Sequence, residues 1–203
     1  MQKHEGHSDR RYGGKSKEVR QAERRDLILE AAVSVYAEVG YHKATVRQIC
    51  ARAGLTSRYY YESFENGEDL FTACYEKVLH EFISKAVSAA QSFPNDRKAQ
   101  TKAFQQTFLT ELRDKPDLAK VFLIDVDSVS PKVSRHFNLS VDMIATEFAE
   151  QTPIPHGEEE VRNIVRLALV GGVLHIAKRW VEEDYATPMD TLLAATQTLY
   201  GLS

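Results

Sequence analysis

The stretch Thr45–Phe64, TVRQICARAGLTSRYYYESF, leaves this chain few ways to fold. Thr45 suits an N-cap, and Gln48 three residues later completes a T-x-x-Q capping box. Val46, Ile49, Cys50 and Ala53 recur at helical spacing, which predicts a short helix with one apolar face. Gly54 follows directly and suits the helix-ending position with positive φ. Leu55 plugs the turn, and Thr56 can N-cap a second helix. On that helix Tyr60 and Phe64 share a face, while Ser57, Arg58, Tyr61 and Glu62 fall mainly on the other. Three consecutive tyrosines cannot all point into a core from one helix, so at least one of Tyr59, Tyr60 and Tyr61 must face out. Two short helices around a glycine turn read as a helix-turn-helix, with the second helix shaped to enter a major groove. The competing reading is an aromatic face used as core filling.

Charge is distributed in a way that fits a groove reader. The whole chain of 203 residues carries a net charge of −3, but residues 1–64 hold 12 Lys/Arg against 8 Asp/Glu, a net of +4. The remainder is acidic at −7. A basic front and an acidic rear suit a DNA-binding head on a body that avoids DNA, although ordinary surface variation produces similar asymmetries. Two cysteines, Cys50 and Cys74, form no disulfide framework, which fits a reducing cytoplasm. Residues 1–26 contain no apolar run resembling a signal peptide. The longest apolar run, Leu167–Leu174, is too short to span a bilayer, so no membrane partner is expected.

Read in order, residues 1–18 form a polar tail. Its Arg10, Arg11, Lys15 and Lys17 either reach phosphates as an arm or are simply solvated. Residues 20–39 carry a stripe of Leu27, Ile28, Ala31, Ala32, Val35, Tyr36 and Val39 at helical period, ended by Gly40. Further helices are predicted over about 68–90, 97–114, 117–129, 131–151, 158–183 and 188–200, with 152–157 a loop by its two prolines and glycine. No alternating strand pattern of useful length interrupts them. The expected architecture is all-α, about nine helices. A flexible tail covers 1–18 and a helix-turn-helix head covers 19–66. A connector helix spans 67–92, and a helical body spans 93–203.

With these residues in view, the chain resembles the DNA-binding domain of the tetracycline-repressor (TetR) family. That family's pattern runs roughly T-x-x-x-I-A-x-x-A-G-V-S-x-x-x-L-Y-x-x-F-x-x-K-x-x-L. Thr45, Ile49, Ala53, Gly54, Thr56, Tyr61, Phe64 and Leu70 match it. Cys50, Leu55 and Tyr60 replace the usual Ala, Val and Leu, and Gly67 stands where a phosphate-binding lysine is normal. The specific match covers about residues 22–82.

The resemblance implies a repressor that binds a palindromic operator in double-stranded DNA as a homodimer and is released by a small effector, with 93–203 as the effector-binding and dimerisation domain. It implies neither catalysis nor a cofactor. Tyr61 would meet a phosphate, and Ser57, Arg58 and Tyr59 would face the groove. Arg58 has the chemistry to read guanine through O6 and N7. Thr45, Arg47, Thr56, Glu62 and His42 complete the expected DNA surface. The last two helices would pair with their mates through Val170, Gly171, Leu174, Leu192 and Thr196; alternatively the helix over 158–183 is the buried centre of a monomer. An apolar or aromatic effector would sit among Phe104, Phe108, Phe122, Asp125, Phe137, Met143, His175 and Trp180, most of which can also be ordinary core. Two rivals remain: a regulator controlled by a protein partner, and an all-α enzyme or metal protein using Asp125, Asp127, His136 and His175. No metal-ligand spacing supports the second.

Overall fold

The computed structural model describes residues 16–149 and 158–201, and every regular element among them is helical. Arg10, Arg11 and Lys15 of the expected tail, and the expected loop 152–157, lie outside the described residues. The first helix, α1 (Lys17–Val39), begins three residues before the periodic stripe suggested. Ser16 accounts for the earlier start: its hydroxyl accepts from the Val19 N–H at 3.3 Å, and Glu18 complements the positive helix end. Lys17 is therefore helical. Leu27, expected in the core stripe, is 46% exposed, and Val33 is buried instead.

A short 3₁₀ turn (Tyr41–Lys43), α2 (Val46–Ala53) and α3 (Ser57–Ser63) complete the head. The long α4 (Gly67–Gln91) starts on an Asn66 cap, whose Oδ1 accepts from the Asp69 N–H at 2.9 Å. Leu70, Phe71, Cys74, Phe82 and Ala86 on α4 are fully buried. Phe71 packs on Tyr36 and Tyr41 at 5.5 and 5.3 Å between ring centres. Burying a Phe side chain contributes about 1.5–3 kcal/mol, so α4 carries much of the apolar stabilisation of both head and body. One continuous cluster of buried side chains runs from Ile28 in α1 through α4 to Leu193 near the chain's end.

The body contains α5 (Arg97–Asp114), α6 (Pro116–Lys120), α7 (Val126–Val129), α8 (Pro131–Ala149), α9 (Glu159–Glu182) and α10 (Met189–Leu199). Asp96 caps α5 through the Ala99 N–H at 3.0 Å. Between α6 and α7 the backbone widens into a π-type turn over Val121–Asp125, so residues 116–129 form one rod with a bulge. Counted that way, the described residues form nine helices, as the periodicity indicates. No helix among them is long and apolar enough to cross a membrane.

The bulged rod is also where body meets head. His42, expected to meet a DNA phosphate, donates its Nε2–H to the Ser128 carbonyl at 2.7 Å. Asp125 lies at the same junction, beside Tyr41 and His42. Its Oδ2 is buried without a hydrogen-bond partner, and burial raises its carboxyl pKa above the usual range, with His42 and Lys120 opposing.

Candidate nucleic-acid interface and body cavities

The turn of the helix-turn-helix forms from local chemistry. Thr45 Oγ1 accepts from the Gln48 N–H at 3.2 Å, and Gln48 Oε1 accepts from the Thr45 N–H at 2.9 Å, closing the capping box. Gly54 adopts φ 66° and ψ 27°, the left-handed region that glycine enters without steric cost. The Leu55 N–H then returns to the Cys50 carbonyl at 2.9 Å. Thr56 occupies the N-cap of α3 with an extended backbone, but its side chain makes no cap bond, contrary to the capping role expected of it.

On α3 the three tyrosines part company. Tyr60 is 1% exposed and packs against Phe64 at 5.9 Å, while Tyr61 is 64% exposed. Tyr59 is half-buried beneath the Arg24 guanidinium, which lies 4.4 Å from its ring centre. Arg25 lies 4.8 Å over Phe64 in the same way. These two arginines tie the first turns of α1 to the recognition helix, at a strength of order 0.5–1 kcal/mol per exposed cation–π pair. Ser57 and Arg58 are exposed, and Arg58 Nε donates to Glu62 Oε1 at 2.9 Å. Arg47 is exposed near the start of α2.

Arg52 behaves differently from its neighbours. It donates to both Glu38 oxygens at 2.5 and 2.8 Å and to Ser34 Oγ at 2.7 Å. This hydrogen bonding holds the Glu38 carboxyl below its ordinary pKa and fixes α2 against α1. No sequence spacing connects Arg52 with Glu38, or Arg24 with Tyr59; both pairs exist only because α1 crosses the other two helices.

The aromatic residues expected to line one pocket are spread over several spaces. Phe104 and Phe108 line a narrow inner chamber of about 40 Å³ between α4, α5, α8, α9 and α10. Met143, 72% exposed, edges an apolar groove of about 600 Å³ between α4 and α8. Phe137 and His175 share a third space of about 290 Å³ with Leu123 and Leu174. The Phe122 side chain lies outside the described residues. Two of the expected lining residues are corrected. Asp125 sits at the head–body junction, as described above, and the Trp180 indole N–H donates to the Thr187 carbonyl at 2.7 Å as part of the core.

The expected pairing face is corrected in its register as well. Val170, Leu192 and Thr196 are buried inside the protomer, and Leu174 is half-buried, because these faces of α9 and α10 pack on α5 and its neighbours. The apolar side chains left uncovered are Val161, Ile164 and Leu167 of α9 and Leu199 of α10, at 53, 61, 39 and 49% exposure. A side chain at Gly171 would enter open space, whereas one at Gly172 would meet Leu199 at 4.0 Å. Gly171 is half-buried and borders the space shared by Phe137 and His175.

Among known proteins, residues 28–74 match the family of bacterial regulatory proteins described as the tetR family. Over 175 residues the chain is 22% identical to the HTH-type transcriptional activator FasR of Mycolicibacterium smegmatis, covering 86% of this chain and 80% of that one. The fold superposes on the fatty acid degradation regulator FadR of Bacillus halodurans with a TM-score of 0.74 and 23% identity, covering 88% of this chain and 95% of that one. It superposes on FadR of Bacillus subtilis, solved in complex with stearoyl-CoA, with a TM-score of 0.68 and 22% identity over 87% of this chain and 96% of that one. Residues 28–74 thus form a DNA-binding head of the tetR type, carried on a body with the fold of these transcriptional regulators.

Proposed function

We propose that the chain works as a homodimer on a palindromic operator and that a small apolar effector governs its release. The observation that carries this reading is the two-sidedness of α3: Tyr60 and Phe64 are locked inward, while Ser57, Arg58 and Tyr61 stand outward on a rigid support. An outward row of that kind has the donors and the aromatic edge that base and phosphate contacts use. Thr45, Arg47, Thr56 and Tyr59 flank it, Glu62 orients Arg58, and His42 serves the junction to the body. The tail at 1–18, head at 19–66, connector at 67–92 and body at 93–203 are the divisions we assign. The protein acts in the cytoplasm, and no catalytic role is proposed.

One head contacts too little DNA for tight specific binding, and two-fold symmetry sets two heads about one helical turn apart. The uncovered Ile164 and Leu167 of α9, with Leu199 of α10, supply the pairing face. The groove between α4 and α8 supplies an effector site, since about 600 Å³ lies within the usual range of ligand pockets. A structural relative named as a fatty acid degradation regulator, and another solved with stearoyl-CoA, favour a long apolar chain as the effector. A ligand that prefers one spacing of the heads shifts the population through α4 and the His42–Ser128 junction. Whether regulation is positive or negative depends on where the operator lies relative to the promoter.

Binding selection on random duplex DNA at two salt concentrations tests the reading. A salt-sensitive palindrome is expected. Salt-sensitive binding without any sequence preference would refute it, and DNA release that requires another protein would favour the partner-controlled alternative.

A further inference from the structure

Tyr59 and Tyr61 stand on opposite flanks of the outward row of α3. Residues step about 100° around an α-helix, which sets Arg58 and Glu62 between the two rings. Tyr61 is bare, but Tyr59 is half-buried, with the Arg24 guanidinium of α1 4.4 Å from its ring centre. Attraction through a ring face uses none of the five N–H donors of a guanidinium. Among the described residues no carboxylate pairs with Arg24. Three other arginines of the head are engaged differently. Arg52 is bound by Glu38 and Ser34, and Arg58 by Glu62. Arg25 lies over the buried Phe64, and its charge reaches the buried Cys74 thiol of α4, so it sits over the inner edge of α3. Arg24 is therefore the half-buried cation held at the outer flank of the recognition helix with its donors unspent.

We propose that Arg24 is a DNA-backbone contact, held by the Tyr59 ring toward a phosphate on the wall of the major groove opposite the one that Tyr61 faces. This rests on the major-groove reading of α3 above and adds a residue of α1 to it. The recognition helix then grips both walls of a groove about 12 Å wide. Arginine suits the task, because its planar fork can offer two N–H groups to one phosphate while its flat side stays on the ring. Tyr59 works as a prop and not as a base reader, and it needs its ring face for this, not its hydroxyl. A backbone contact carries no sequence information, so Arg24 sets affinity and register while Ser57 and Arg58 set sequence preference.

The test measures binding of the full-length protein to its selected operator over a range of salt concentrations, with thermal midpoints recorded for each variant. Arg24→Met keeps the stem and removes the charge and the donors. It is expected to weaken binding on the order of tenfold at low salt, by the same factor on the operator and on its single-base variants. The dependence of log affinity on log salt is expected to become shallower by about one per head. Arg24→Met is also expected to cost as much in a Tyr59→Phe background as in wild type, and much less in a Tyr59→Leu background, where the ring face is gone. A tie that only braces α1 against α3 would lower the thermal midpoint and leave the salt slope unchanged, and that result overturns the contact. A loss confined to one base position overturns the backbone assignment. An equal cost in the Tyr59→Phe and Tyr59→Leu backgrounds overturns the prop. Should Arg24→Met fail to fold, Arg24→Gln takes its place with the same expectations. Wild type that shows no sequence preference overturns the groove reading itself, and the proposal with it.

Discussion

Tyr59, Tyr60 and Tyr61 share a side chain and a helix but have three different environments. Tyr60→Ala deletes a fully buried ring and is expected to destabilise the protein by about 3–5 kcal/mol in denaturant unfolding, by analogy with other buried aromatics. Tyr61→Ala removes an exposed ring and is expected to change stability by no more than about 0.5 kcal/mol. Its cost should appear in DNA affinity, spread evenly over operator sequences, as a lost phosphate contact predicts. Arg58→Ala should relax preference at one base pair by about 1–3 kcal/mol. Binding selections that return an unchanged motif would remove Arg58 from the reading set. The inward fate of Tyr60 was legible from its four-residue spacing to Phe64. The Arg24 clamp on Tyr59 was not, because it joins helices separated in the sequence by a turn and another helix.

At the scale of elements, the contact between the bulged rod and the 3₁₀ turn links body to head through His42, Ser128 and Asp125. The Asp125 carboxyl titrates above its ordinary 3.8 in the folded protein because burial penalises its charge. The folded state therefore binds that proton more tightly than the unfolded chain does. The stability this contributes is present below about 3.8 and is lost as pH rises through the folded-state value. Asp125→Asn removes the buried charge, so it is expected to raise the thermal midpoint at neutral pH, with the gain shrinking as pH falls toward the ordinary carboxylate range. A gain independent of pH would show that the substitution acts by some other route. Helix boundaries at this scale were largely readable, since Thr45 and Asn66 announce starts and Gly40 and Gly54 announce ends, whereas the Asp96 cap emerged only in the structure. The π-type turn was not, because Val121–Asp125 continues the helical apolar pattern without a glycine or proline to mark the widening.

For the whole molecule, the decisive question is which face of α9 and α10 meets a second copy. Ile164→Glu places a charge on the uncovered face. It is expected to yield a monomer by mass measurement and to weaken operator binding on the order of a hundredfold or more, as linked half-sites separate. Leu192→Ala should instead cost about 2–5 kcal/mol of stability from inside the protomer. A dimer that survives Ile164→Glu would move the interface elsewhere. The sequence by itself determined the helical class, the capped helix-turn-helix and the basic head, because capping, period and glycine placement are local and act within a few residues. Tertiary structure alone decided which sides of α9 and α10 stay uncovered, since α9 carries apolar residues on more than one face and the packing of α8, the bulged rod and α5 chooses its inner side. It also decided that His42 faces the body and that Arg24 lies over Tyr59, because each depends on neighbours dozens of residues away that no local pattern specifies.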